Sequence, residues 1–306
     1  MPIESVVRIS VAIAFVVGWY LLFLWFWNHL RPARAKGGAD GKGHGMVLRI
    51  VASHSFKHAF LATCAAGATA AVLNVYVYHG FGHQPDIYRR GSPDRPWVAI
   101  TFDDGPSPKY TPRILEILEA HNVPATFFMV GAHVEAYPEI AAAVVAAGHE
   151  VGNHTYTHIN VPTASTQRLY EELVSTSSII YEKTGVYPAY ARPPRGLYDG
   201  RFGRISALLG QKIVLWNRSS YDWQGPRISK ETIVRRIVDN VKPGDILLFH
   251  DSGALLGREG GDREATVQAL EAIIQGVRAK GLEFVPLSQL LHGVVGEEEL
   301  DFDLTE

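Results

Sequence analysis

Residues 97 to 106 read WVAITFDDGP: a β-prone run, then Asp103 and Asp104, then a Gly105-Pro106 turn. A short apolar run closed by turn residues is the signature of a buried strand. The pattern recurs downstream, predicting strands at Trp97 to Phe102, Ala125 to Val130, Glu150 to Asn153, Tyr190 to Arg192, Lys212 to Asn217, Asp245 to His250 and Glu283 to Pro286. Helical stretches fall between them, at Thr111 to His121, Glu135 to Ala147, Thr166 to Thr184, Asp199 to Leu209, Lys230 to Asn240 and Arg263 to Lys280. Repeated β-α alternation predicts a parallel sheet covered by helices.

The polar residues at the strand ends choose between an open sheet and a closed one. Asp103 and Asp104 follow the first strand, His154 and His158 the third, Arg192 the fourth and His250 the sixth. A barrel gathers its strand C-termini around one axis, whereas an open sheet spreads them along an edge. The expected fold is α/β, an irregular (β/α) barrel of about seven strands.

Composition sets the outer bounds. With 306 residues, 47% hydrophobic and 20% charged, the chain is not disordered, collagenous or a disulfide framework. A net charge of -2 gives no whole-protein nucleic-acid binder. The single cysteine, Cys64, lies in an apolar stretch and has no intramolecular partner. The mean hydropathy of +0.02 is high for a chain this charged, which points to two unlike parts.

The N-terminal part carries the hydropathy. Ile9 to Trp27 reads ISVAIAFVVGWYLLFLWFW without a charge, long enough for a transmembrane helix, with Trp19, Tyr20, Trp25 and Trp27 placed as an interfacial belt. A cleaved signal peptide fits less well, because the run is long and the preceding MPIESVVR barely basic. A second uncharged stretch, Ala59 to Tyr78, is rich in small residues and is expected to span as well. Residues 31 to 58 between them carry Arg31, Arg34, Lys36, Lys42, Arg49 and Lys57 against Asp40, so the positive-inside rule makes this loop cytoplasmic. The expected organisation is a membrane anchor over 1–82, a linker over 83–96, a catalytic domain over 97–292 and an acidic tail over 293–306. That arrangement predicts a multi-pass protein of the cytoplasmic membrane with its catalytic domain outside.

His154-Thr155-Tyr156-Thr157-His158 spaces two imidazoles at i and i+4, so a helical turn or a tight loop aims both at one metal. In extended chain, neighbouring side chains point to different sides, so Asp103 and Asp104 can take different roles.

Five segments in order then establish a likeness: TFDDGP at Thr101 to Pro106, HTYTH at His154 to His158, RPPRG at Arg192 to Gly196, DW at Asp222 and Trp223, and LFH at Leu248 to His250. Over roughly residues 95 to 292 the chain resembles the polysaccharide deacetylase family, the carbohydrate esterases of family 4 that share the NodB homology domain. The resemblance implies an irregular (β/α) barrel and a metal-dependent N-deacetylase. It implies that Asp104, His154 and His158 hold a divalent metal, with Zn expected and Co or Ni equally suited to two imidazoles and a carboxylate. Asp103 is then the general base and His250 the acid that protonates the departing amine. Arg192 would orient Asp103, Asp222 would orient and charge His250, and the backbone N–H of Arg195 would face the oxyanion. Trp223 and Leu248 would line the acetyl pocket, although plain core packing explains an apolar residue equally well.

Arg195 stands where many members carry an aromatic residue, and its charge suits the lactyl carboxylate of N-acetylmuramic acid or a stem peptide. Asp251, an extra acid after His250, is expected to cap a turn. The expected partner is an N-acetylated polysaccharide, foremost the N-acetylglucosamine of peptidoglycan. Chitooligosaccharide, exopolysaccharide, N-acetylmuramic acid and a non-catalytic glycan-binding module are the alternatives.

Overall fold

The computed structural model describes Thr63, Gly67 and residues 87–292 other than 225–227 and 256–257. The chain divides into two units, Met1–Gln84 and Pro85–Glu306. In the first, Thr63 and Gly67 are helical. The acidic tail lies outside the described residues.

The second unit is built on one parallel sheet. Its strands are β1 (Ile87–Tyr88), β2 (Trp97–Asp103), β3 (Ala125–Met129), β4 (Glu150–Asn153), β5 (Tyr190–Ala191), β6 (Lys212–Val214), β7 (Arg218–Ser219), β8 (Ile246–His250) and β11 (Glu283–Phe284). They run in the order β1-β6-β5-β4-β3-β2-β8-β7, with β11 beside the start of β2. A small antiparallel hairpin, β9 (Gly253–Leu255) with β10 (Arg258–Gly260), follows β8. The helices are α1 (Thr111–Ala120), α2 (Gly131–Ala136), α3 (Pro138–Ala146), α4 (Thr166–Thr184), α5 (Gly200–Leu208), α6 (Lys230–Val238), α7 (Glu264–Ala279) and α8 (Leu287–His292).

Two expected elements are divided. Pro138 has no N–H to continue a helix and begins α3 instead, so the run from Glu135 to Ala147 belongs to two helices. The run from Lys212 to Asn217 stops as a strand at Val214, because the carbonyl of Leu215 turns to accept from Arg192 and Asn217 bonds to Asp245 and the N–H of Ile246.

A row of aromatic rings pins the register. Phe102 on β2 lies level with Phe127 on β3 and Phe249 on β8, at ring-centroid distances of 5.1 and 5.8 Å. Such pairs contribute about 0.5–1.5 kcal/mol each beyond the area they bury. They face the helix layer, where Ile114 and Leu118 of α1 and Ile273, Ile274 and Val277 of α7 complete the larger core. With the aromatic row outside, the next residues along, Asp103 and His250, turn inward side by side. A slip of one residue would expel both.

The sheet is curled. β2 and β5 are separated by β3 and β4, roughly 14 Å on a flat sheet at ~4.8 Å per strand, yet Arg192 beyond β5 bonds Thr101 and Asp103 on β2 directly. On the concave side Ala99, Phe128, Val214 and Ile246 cluster with Leu287, Leu290 and Leu291 of α8, plugging the end where the strands begin. Glu150, at the start of β4, accepts from the N–H groups of Leu287 and Ser288 and holds that helix in place. The opposite end is left to the polar groups.

The expected placement in the cytoplasmic membrane is overturned: among the described residues, no helix is long and apolar enough to cross a membrane. The longest described helix, α4, is 19 residues but carries Arg168, Glu171, Glu172, Glu182 and Lys183. The two apolar runs on which that expectation rested, 9–27 and 59–78, lie outside the described residues apart from Thr63 and Gly67.

Candidate active site

At the C-terminal ends of the parallel strands, Asp104, His154 and His158 bring one ligand atom each within 4.8 Å of one another, all three side chains buried. Asp104 Oδ1 is 3.5 Å from His154 Nε2 and 3.4 Å from His158 Nε2. Asp104 sits at φ 80°, a left-handed backbone that turns its side chain away from the line of β2. Its carbonyl accepts from Nδ1 of the buried His133 at 2.6 Å, which secures the turn.

HTYTH forms a tight loop rather than a helical turn, with Thr155 at φ 65° and His158 at φ 54°. Left-handed non-glycine residues cluster where a fold over-determines them, and this loop is clamped from two sides. Asn153 Oδ1 accepts from the N–H of Thr155, while Asn153 Nδ2 is tied to Leu173 and Ser177 of α4. Glu172 accepts from both the N–H and the hydroxyl of Thr157 at 2.7 Å.

The donor set fits a cation. His154 Nδ1 donates to the carbonyl of Arg192 at 2.8 Å, which fixes the tautomer and leaves Nε2 with a lone pair. Burial drives the pKa of His158 down to about 3, so its imidazole is neutral. Burial opposes ionisation of Asp104, but the neighbouring imidazoles of His154, His250 and His158 outweigh it and hold the carboxyl far below its ordinary value. Asp104 Oδ1 is buried without a hydrogen-bond partner. Three buried ligand atoms converging on one point are suited to a metal ion.

Asp103 is 2% exposed, and its Oδ1 accepts from Arg192 at 2.6 Å. Arg192 is wholly buried: its guanidinium also bonds Thr101 Oγ1 and the carbonyls of Val214 and Leu215, and lies 3.9 Å from the Phe128 ring centroid. Burial lowers its pKa and the Asp103 charge opposes that fall. His250, level with Asp103 on β8, donates from Nδ1 to Asp222 Oδ1 at 2.7 Å, leaving Nε2 for a second partner. Burial works against the charged imidazole, but Asp222 prevails and raises the pKa to about 9. For Asp222, burial is likewise outweighed by the His250 charge and hydrogen bond, so its pKa is lowered.

The remaining expected residues are placed less uniformly. Trp223 is half-exposed, with its ring edge-on to His250 at 5.3 Å. Leu248 is buried two residues before His250, on the same inward side. Arg195 is exposed, at φ 59° within the turn Pro194–Gly196, and its charge acts on His158.

Glu172, Arg263 and Thr266 went unnoticed in the sequence. Thr266 donates to Asp222 Oδ2, and Arg263 donates to the carbonyl of Ser252 beyond His250. Glu172 left a legible sign, an acid on the buried helix face that Leu169, Leu173 and Thr176 define. Asp251 does more than cap a turn: it is buried, accepts from Thr111 Oγ1 at 2.6 Å, and burial raises its pKa to about 7.

Known proteins resemble this chain over the same region. The family described as Polysaccharide deacetylase matches residues 90–214. A peptidoglycan-N-acetylglucosamine deacetylase of Bacillus cereus is 37% identical over 196 residues, covering 63% of this chain and 87% of the relative. A chitooligosaccharide deacetylase of Bradyrhizobium sp. is 36% identical, covering 63% and 90%. Among solved structures, the Bc1960 peptidoglycan N-acetylglucosamine deacetylase in complex with 4-naphthalen-1-yl-N-oxidanyl-benzamide superposes with a TM-score of 0.63 at 32% identity, covering 68% of this chain and 93% of that one.

Proposed function

Because the chain belongs to the polysaccharide deacetylase family, we propose that it hydrolyses the N-acetyl group of peptidoglycan N-acetylglucosamine, with its catalytic domain over 97–292. The observation that carries this reading is the level placement of Asp103 and His250 on adjacent strand ends, beside the cluster of Asp104, His154 and His158.

Asp104, His154 and His158 would hold the divalent metal, Zn first and Co or Ni as alternatives. Such a metal would supply Lewis-acid polarisation of the acetyl carbonyl and a more acidic water. Asp103 removes the proton from the attacking water, and Arg192 holds that carboxylate in aim. His250, protonated through Asp222, gives its proton to the departing amine nitrogen, without which the amine is a poor leaving group. The N–H of Arg195 faces the developing oxyanion from its left-handed turn. Trp223 and Leu248 form the apolar wall for the acetyl methyl group.

The exposed guanidinium of Arg195 favours peptidoglycan over a neutral chitooligosaccharide, because lactyl and stem-peptide carboxylates complement its charge. The test is mass spectrometry of wall fragments and of acetylated chitooligosaccharides after incubation with the metal-loaded protein. Acetyl loss from N-acetylglucosamine of the wall fragments is expected. Intact acetyl groups on both substrates would reject the assignment, and loss from chitooligosaccharide alone would replace the substrate.

A further inference from the structure

Among the described residues, most exposed large hydrophobic side chains are scattered over α4, the turn after it and α5. Two lie together at the catalytic cluster: Tyr221, 47% exposed, and Trp223, 43% exposed, with ring centroids 5.0 Å apart and planes inclined by 48°. Trp223 connects the pair to the chemistry through its edge contact with His250.

Folding gives little reason for a tyrosine at 221. Its backbone is left-handed, φ 56°, where glycine or asparagine is the ordinary choice. Nearly half of it remains in water, so hydrophobic burial returns only part of its value. Yet the segment is braced with care. The N–H of Tyr221 donates to Ser219 Oγ and that of Asp222 to Ser220 Oγ. From α6, Arg236 places its guanidinium carbon 5.2 Å from the Tyr221 ring centroid and donates to the carbonyl of Ser220 and to Gln224 Oε1. A ring held in a disfavoured backbone, braced from below and left half in solvent is pre-organised for a ligand.

We propose that Tyr221, together with Trp223, forms a stacking platform for the sugar unit next to the one being deacetylated, so that Tyr221 makes the enzyme select linked sugars over a single one. The occupant follows from chemistry and place. A pyranose ring presents C–H groups on its faces and hydroxyls at its rim, so it lies on aromatic surface while its polar edge stays in water. The platform touches His250, hence a unit beside the reacting sugar is the part of a glycan that reaches it. This inference rests on the deacetylase reading.

The test compares kcat/KM of the metal-loaded chain on N-acetylglucosamine, which has no neighbouring unit, and on the N-acetylated chitin disaccharide, which has one. In Tyr221→Asn the ratio of disaccharide to monosaccharide should fall about tenfold, as the loss of one aromatic contact predicts. Tyr221→Phe should keep the ratio, since the ring and not the hydroxyl does the work. Asparagine suits the left-handed backbone, so the melting temperature of Tyr221→Asn should equal or exceed that of the wild type. A ratio unmoved by Tyr221→Asn, as expected if a stem peptide occupies the platform, overturns the inference alone; so does an equal fall on both lengths. A folded, metal-loaded wild type that turns over neither oligosaccharide nor wall fragments defeats the deacetylase reading and this inference with it.

Discussion

Asp222 holds His250 at two points: its Oδ1 accepts from the imidazole Nδ1 at 2.7 Å and its Oδ2 from the His250 backbone N–H at 2.9 Å. The second carboxylate oxygen also receives the hydroxyl of Thr266 from α7, so the acid is locked to the helix layer as well as to its partner. Ring orientation and charge of His250 therefore depend on one buried side chain.

That dependence fixes a pH profile. His250 is raised from 6.5 to about 9, so an acid role requires activity to decline as pH rises through about 9. In Asp222→Asn the opposing effect of burial meets only the lesser counterweights of Asp104 and Asp103. The alkaline limb of kcat/KM should move down from about 9 toward 6.5, with activity at pH 8 reduced by about 10-fold. An alkaline limb unmoved by this substitution would remove His250 from the acid role.

The same pair contributes to stability over a defined window. The share from His250 is complete below 6.5 and is lost as pH rises through about 9, because its folded pKa is raised. The share from Asp222 is present above its ordinary 3.8 and is lost as pH falls through its lowered folded value. Denaturant melts across pH 4 to 10 should show the wild type losing its advantage over His250→Asn between about 6.5 and 9.

Asp103→Asn should retain metal binding and lose about 10²–10⁴-fold in kcat, since the amide keeps the shape of the carboxyl but takes no proton. Metal content by atomic absorption and single-turnover rates check the two halves separately. Appreciable turnover in this variant would show that another group is the base.

Chelation should abolish activity, and added Zn, Co or Ni should restore it in an order that identifies the preferred ion. Glu172→Gln should weaken metal affinity by about 10-fold, because the clamp on Thr157 is what keeps the His154–His158 loop closed. Titration calorimetry with the metal alone reads this without reference to turnover. Undiminished affinity would make Glu172 a packing residue only.

Arg192→Met should cost about 3–5 kcal/mol, because it leaves the buried Asp103 without its ion-pair partner. Combining it with Asp103→Asn should recover part of the loss, which a double-mutant cycle in urea measures.

Much of this was legible in the chain itself. β2 and β8 read as apolar runs ending at the residues that matter, and α4 was bounded correctly because Ser165 caps its start and Gly185, at φ 74°, ends it. The two-residue strands β1 and β7 were not, since so short a segment carries no periodicity of its own. The pair Asp103 and Asp104 was recognised as able to divide roles, but the left-handed backbone that separates them leaves no mark in composition.

What the sequence determined by itself is local and chemical: the β-α alternation, the residue types, and their place at strand ends, all properties of neighbours along the chain. What the tertiary structure decided is distance. Only the curl of the sheet brings Arg192 across two strands to Asp103, and only the packing of α4 and α7 delivers Glu172 to the histidine loop and Thr266 to Asp222. Those partners lie 89, 15 and 44 residues apart in sequence, and no period or spacing encodes them. They meet because the aromatic row Phe127, Phe102 and Phe249 fixes which face each strand turns inward.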